Sequence, residues 1–308
     1  KAIQAEMTAR AGSSPQIIDI ILEFRLLNKL LTSFLRPLPK FCRGKRSKKV
    51  PARIHPQWMQ TAVRTGRLSC RKPNLQQVSN NGALGINPRD AFTIEQGMCL
   101  FACDYSQKEV RILAHMSGDD ALLSLFCGDP NVDIYKQMSS LIRNKPVDAI
   151  TSVERAQFKQ VTLALLYGMS ANQVAKKLSI TKANAQQMMN DFFRRFRRVK
   201  AWMDETKAYA RERLYVKTIA GRKRYLDDIN SDDNGKKSQA ERQAINTVIQ
   251  GSAADLMKMA MINMARNLMQ WRDDADLNGK STCPNMLLQI HDEVILEVGF
   301  NMHDINQL

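Results

Sequence analysis

The strand-like segments of this chain are few and far apart, and that separation narrows the folds open to it. Residues 98–104, MCLFACD, read as a buried strand that ends on an acid. Residues 286–298, MLLQIHDEVILEV, read as two short apolar strands about a polar turn at His291–Glu293, a β-hairpin signal. Most of the intervening chain has helical character: 152–178, then the strongly basic 182–213, then 238–271. A helix is also predicted from Ser106. Residues 16–35 carry apolar residues at helical spacing and predict an amphipathic helix, ended by Pro37 and Pro39. The fold class is therefore mixed α/β and helix-rich, with few strands placed far apart in sequence.

Charge narrows the partners. Forty-six Lys and Arg stand against 30 Asp and Glu, a net of +16. Such an excess favours a polyanion, because neutralising phosphates releases counterions. A basic ribosomal or membrane-surface protein has the same balance. No apolar run approaches the roughly 20 residues that span a bilayer, so no membrane partner is expected. The six cysteines form no C-x-x-C pair, which fits a reducing compartment. Residues 40–53, KFCRGKRSKKVPAR, form a basic loop that reads equally as a solvated linker or as a DNA-contacting or nuclear-targeting segment.

Two acids stand out. Asp104 closes an apolar strand and Asp292 sits at the hairpin tip, 292 − 104 = 188 residues later. Carboxylates at the ends of core strands are costly to desolvate unless paired or bound to a cation. Two of them side by side repel each other, and Mg²⁺ relieves that repulsion with oxygen ligands. The plain reading makes Asp104 a turn residue ahead of a helix and Asp292 an ordinary hairpin-tip acid.

Other patterns carry two readings as well. Ser106-Gln-Lys-Glu109 fits an S-x-x-E capping box. Arg155, Lys159, Leu163 and Tyr167 recur every four residues, so they form one slowly drifting helical stripe. Two cations on such a stripe suit a triphosphate, and they equally suit a solvated basic face. FFRRFRR, 192–198, interleaves aromatics with arginines, and the favoured reading buries Phe192, Phe193 and Phe196.

DYSQKEVRILAHMSGD (104–119) resembles motif A of the family A, DNA polymerase I-like enzymes. RAQFKQVTLALLYGMS (155–170) resembles motif B, and QIHDEVILEV (289–298) resembles motif C. TGRLSCRKPNLQ (65–76), GRKRYL (221–226) and AERQAINTVIQGSAADLMK (240–258) agree and occur in the family's order. INPRDAF, upstream of motif A, leans towards the theta and nu branch.

The resemblance implies a right-hand polymerase: a palm with an antiparallel sheet plus helical fingers, the thumb mostly absent. It divides the chain into the end of a thumb with a basic linker (1–56), a first palm part (57–120), fingers (121–235) and a second palm part (236–308). It implies a DNA-directed DNA polymerase acting on primer–template DNA and dNTPs in repair or translesion synthesis, in the nucleus or alternatively the mitochondrion. Two Mg²⁺ ions, with Mn²⁺ as an alternative, would be held by Asp104, Asp292 and the backbone carbonyl of Tyr105. Glu293 would order that site, and Lys159 would serve as proton donor to pyrophosphate. Glu109 and Tyr167 become a gate against a ribose 2′-hydroxyl. Tyr135, Arg155, Lys159 and Leu163 contact the nucleotide, while Arg67, Asn74, Gln76, Arg242, Asn246, Gln250 and His291 contact DNA.

Two positions depart from the pattern. Leu163 stands where an aromatic is usual, often preceded by Asn where Thr162 stands, and Tyr135 replaces a His. No exonuclease-type acids precede motif A, and the chain reads as a piece of a larger polymerase. A catalytically incomplete DNA-binding module and a single-subunit RNA polymerase are the rival functions.

Overall fold

The computed structural model describes residues 15–43, 52–78, 85, 87–95, 97–128, 132–277 and 284–299. In chain order these give α1 (Pro15–Leu30), β1 (Cys42–Arg43), β2 (Arg53–Ile54), β3 (Gln57–Met59), β4 (Ser69–Arg71) and β5 (Met98–Asp104). There follow α2 (Lys108–Ser117), α3 (Asp120–Leu123), α4 (Ile134–Arg143), α5 (Ser152–Leu166), α6 (Ala171–Leu178), α7 (Lys182–Arg195) and α8 (Arg197–Arg213). A short hairpin, β6 (Tyr215–Lys217) and β7 (Lys223–Tyr225), precedes α9 (Asn234–Asn246), a π-helical turn Thr247–Gly251 and α10 (Ser252–Leu277). β8 (Asn285–Ile290) and β9 (Glu293–Gly299) close the described chain. It forms two compact units: 1–62, 68–104 and 265–308 in one, 63–67 and 105–264 in the other.

The first unit holds the sheet that the acids require. β9 lies between β5 and β8, antiparallel to both. The hairpin is as predicted, with a two-residue turn in which His291 takes a φ of 54°. The strand at 98–104 is present but not buried. Leu100 and Phe101 are 46% and 43% exposed, because β5 is the edge of a three-stranded sheet. Apolar composition reported strand propensity there, not depth. The unit's core gathers Leu30, Phe34, Leu38, Cys70, Leu75 and Val78. Arg53, from the predicted basic loop, is structural: it pairs with Glu95 at 2.9 Å and with the buried Glu297 of β9 at 2.8 Å. Residues 44–51 of that loop lie outside the described residues.

The second unit is helical around one large core that includes Val161, Phe192 and Phe196. Both long helices predicted there are broken. The first ends at Tyr167 because Gly168 has φ +64° and packs against Arg242; a Cβ on Gly168 would sit 2.7 Å from the Arg242 Cγ. Ser170 then opens α6 with a Ser170/Gln173 capping box. The second breaks at Phe196, where the Arg198 N–H donates to Asp119 while the other oxygen of that carboxylate caps Leu122. Phe192 and Phe196 are fully buried, Phe193 is half-buried, and Arg194 points outward, as the FFRRFRR reading expected.

The start of α5 is pinned by charge. Glu154 accepts from the Thr151 N–H at 3.0 Å and from Lys145 at 3.2 Å, and those bonds, the backbone one foremost, lower its pKa from 4.5 to about 2. A carboxyl with a depressed folded pKa contributes stability that is full above its unfolded value and is lost as pH falls through the folded one. The urea midpoint is therefore expected to drop as pH falls from about 5 to about 2, and Glu154→Gln should shrink that drop.

Candidate active site

In the β5–β9 ladder Asp104 lies directly opposite Glu293, and Asp292 is the adjoining residue of the turn. Paired Cα atoms in such a ladder stand ~5 Å apart with side chains on the same face. The fold thus brings 104 and 292–293 to one end of one sheet across 188 residues. Like charges directly opposite are destabilising, so a cation is the natural complement. Asp104 is exposed and Asp292 and Glu293 are half-buried, open enough for a hydrated ion to enter. Among the described residues no group of three or more His, Cys, Asp or Glu side chains is already gathered for a metal. Mg²⁺ does not need one, since it takes one or two carboxylates and fills its octahedron with waters and substrate phosphates. The donor set fits that ion.

The turn is braced from behind. Gln76 donates from its amide to the Gln289 carbonyl at 3.1 Å, to the Gln289 Oε1 at 3.0 Å and to the Leu68 carbonyl at 3.3 Å. Gln289 in turn donates to the His291 carbonyl at 2.5 Å. Asn74 accepts from the Gln76 N–H at 3.1 Å and from the Cys70 thiol. Two predicted DNA contacts, Asn74 and Gln76, therefore hold the acidic hairpin's base, and His291 is exposed at its tip.

In the second unit, two further groups form. Asp133 caps α4, accepting from the N–H groups of Tyr135 and Lys136, and takes the Arg155 Nε at 2.5 Å. Burial opposes its ionisation, but the Arg155 and backbone hydrogen bonds outweigh that and hold it below the usual carboxylate range. The Tyr135 ring is buried, with the Arg155 and Lys159 cations each 5.8 Å from its centroid. Three predicted nucleotide contacts, Tyr135, Arg155 and Lys159, are thereby gathered. Leu163, on the same helix, is half-buried against the core.

The other group centres on Glu109, which is 7% exposed. It accepts from Arg67 at 2.5 Å and from the Tyr167 hydroxyl at 3.2 Å. Gln250 hydrogen-bonds that same hydroxyl; burial first, then the Glu109 charge, raise the Tyr167 pKa, so its proton stays in place as a donor. The capping-box reading of Glu109 is overturned. α2 begins at Lys108, with Gln107 as a left-handed N-cap and no side-chain cap, and the Glu109 carboxylate reaches Arg67 and Tyr167 instead. Arg242 and Asn246 lie on α9, both half-buried.

Arg222 was not singled out by the sequence. It donates to Asp255 at 2.9 Å, to the Thr65 carbonyl at 2.7 Å and to the Gly251 carbonyl at 3.2 Å. Gly66, at φ +89°, lies against it so closely that a Cβ would stand 2.6 Å from the guanidinium. Arg222 therefore seats the turn that presents Arg67 to Glu109. The one local signal was the string GRKRYL.

The family model for DNA polymerase family A matches residues 3–306. The thermostable DNA polymerase I of Thermus aquaticus is 37% identical over 281 residues, 91% of this chain and 32% of that protein. DNA polymerase I of Pseudomonas aeruginosa is 35% identical over 298 residues, 97% of this chain and 31% of that protein. The chain thus spans about a third of the length of these curated relatives. The solved POL domain of Pol1 from M. smegmatis, in complex with DNA primer-template and dNTP, matches with a TM-score of 0.77 and 31% identity. That match covers 99% of this chain and 50% of the solved one. The sheet that joins distant acids, the helical second unit and a family match over nearly the whole length agree: the chain belongs to DNA polymerase family A.

Proposed function

We propose that this chain carries out template-directed DNA synthesis, adding deoxynucleotides to a primer 3′-hydroxyl with divalent cations held by Asp104 and Asp292. The observation that carries the reading is the β5–β9 pairing, which sets Asp104 opposite Glu293 and so beside the turn residue Asp292. In the reaction, the primer oxygen bonds to the α-phosphorus, the bond to the bridging oxygen breaks, and pyrophosphate leaves. Two Mg²⁺ ions, when bound, would ease loss of the hydroxyl proton and stabilise charge on the leaving group. Glu293 would share their charge, and the Tyr105 carbonyl would be a further ligand.

Arg155 would exchange Asp133 for triphosphate oxygens, which carry more charge and keep its geometry. Lys159, exposed beside Tyr135, would neutralise the triphosphate and give a proton to pyrophosphate. Glu109, held from two sides by Arg67 and Tyr167, would make a fixed wall where a ribose 2′-hydroxyl has no room. Arg67, Asn74, Gln76, Arg242, Asn246, Gln250 and His291 remain the proposed DNA contacts. Of these, Arg67, Asn74 and Gln76 act partly through the residues they hold in place. Likeness to a polymerase domain solved with primer-template and dNTP supports the same partners here.

Extension of a labelled primer with Mg²⁺ and each dNTP singly is the test. The expected product follows the template base, disappears with EDTA and is made poorly from rNTPs. Template-independent or EDTA-resistant addition would refute the proposal. Leu163 offers the nucleotide no ring, so Leu163→Phe is expected to lower KM for dNTP by about five-fold, the equivalent of ~1 kcal/mol of stacking. Steady-state kinetics with one dNTP check this.

A further inference from the structure

β6 and β7 form a two-stranded hairpin whose register sets Tyr215 opposite Tyr225 and Lys217 opposite Lys223. All four side chains share one face, because directly paired residues point the same way. The other face is occupied by buried Val216 and by Arg224, which donates to Thr247 and Gln243. On the first face, Tyr225 is 65% exposed, and both lysines are exposed. The Tyr215 ring lies 5.7 Å from that of Tyr225 and 5.9 Å from that of Tyr209, edge-on in each case. Lys223 and Lys217 sit 4.7 Å and 5.9 Å from the Tyr215 centroid. Neither lysine has an ion pair among the described residues. Glu212, whose charge acts on Tyr209, is paired with Arg213 at 3.1 Å.

Two features of this face call for a ligand. Like charges directly opposite in a ladder are destabilising, and here they are gathered over one ring rather than separated. A phosphate chain would offset that cost. Beside them stands an exposed aromatic ring backed by two others, the arrangement on which an unstacked base rests. We propose that the β6–β7 face is an accessory binding site for single-stranded DNA, with Lys217 and Lys223 on successive phosphates and Tyr225 stacked under a base. Duplex DNA would meet only the lysines, since its bases are not free to stack. The choice of DNA as the polyanion rests on the family reading; the site does not depend on catalysis.

The test uses the whole chain and a fluorescein-labelled (dT)12, with and without bromodeoxyuridine. Irradiation of the substituted oligomer should attach it to the Tyr225 peptide, located by mass spectrometry. Anisotropy should show Tyr225→Ala weakening (dT)12 by about five-fold or more, Tyr225→Phe within about two-fold of wild type, and a 12-base-pair duplex unaffected by either. The double variant Lys217→Ala/Lys223→Ala should flatten the slope of log affinity against log salt by about 1.4, or 0.7 per phosphate contact. Melting curves check that each variant is folded. Cross-linking that misses Tyr225, Tyr225→Phe as weak as Tyr225→Ala, or equal losses on single strand and duplex would each overturn the proposal. None of these readouts needs extension, so loss of polymerase activity would leave the result legible.

Discussion

Asp104→Ala and Asp292→Ala are each expected to reduce primer extension by at least about a thousand-fold, the equivalent of roughly 4 kcal/mol of transition-state stabilisation. Asp104 stands at the end of the β5–β9 ladder and Asp292 in the turn beside its partner Glu293, so each replacement removes one of two neighbouring carboxylates. The remaining acid cannot then balance a divalent cation. Asp104 is exposed and Asp292 half-buried, so neither replacement opens a core cavity, and melting temperatures should stay close to wild type. Primer–template affinity should change by only a few-fold. Glu293→Ala should have a smaller effect than either Asp replacement, because the role proposed for Glu293 is to order the site rather than to supply the main ligand. Single-turnover kinetics with gel-shift controls separate these outcomes. Parallel loss of DNA binding and of folding in both variants would instead make the acids structural.

Arg222→Met is expected to lower stability by about 2–4 kcal/mol, a fall of roughly 5–15 °C in melting temperature. The methionine keeps much of the stem's volume but leaves the Asp255 carboxylate, 9% exposed, without its guanidinium. It also strips donors from the Thr65 and Gly251 carbonyls. The figure sits below that for a fully buried pair because the Arg222 side chain keeps 35% of its exposure. The second consequence is local: the turn carrying Arg67 loses its seat, so the Arg67–Glu109 contact loosens. Discrimination against rNTPs should then fall along with stability. Gly66→Ala should act in the same direction through its positive φ. Unaltered melting and unaltered sugar discrimination in both variants would remove Arg222 from the account.

The sheet was legible because its signal is local: MCLFACD and MLLQIHDEVILEV have strand composition, and the turn at His291-Asp292 stands between the hairpin strands. Their pairing was legible only through the family resemblance, since nothing local links residue 104 to residue 293. The Arg155–Lys159–Leu163–Tyr167 stripe followed from helical period alone. Its end did not, because Tyr167 and Gly168 leave the helix where Arg242 packs against the glycine. The break at Phe196 has the same character: Asp119 caps Leu122 locally and also receives an N–H from 79 residues away. Glu109 shows the limit most plainly. The pattern Ser106-x-x-Glu109 was a sound local motif, and Arg67 with Tyr167 took the carboxylate elsewhere. Arg222 and Arg53 were illegible for that reason too, since a basic residue reads as surface until its buried acid is located.

Fe²⁺ supplied in place of Mg²⁺, followed by peroxide and ascorbate, would cut the polypeptide beside the proposed metal site, and mapping those cuts tests convergence most directly. The account predicts cleavage at two places, around residue 104 and around residues 291–293, both competed away by Mg²⁺ and both lost in Asp104→Ala. Cleavage at only one of them, persistence of the 291–293 cut in Asp104→Ala, or cuts confined to other segments would contradict it.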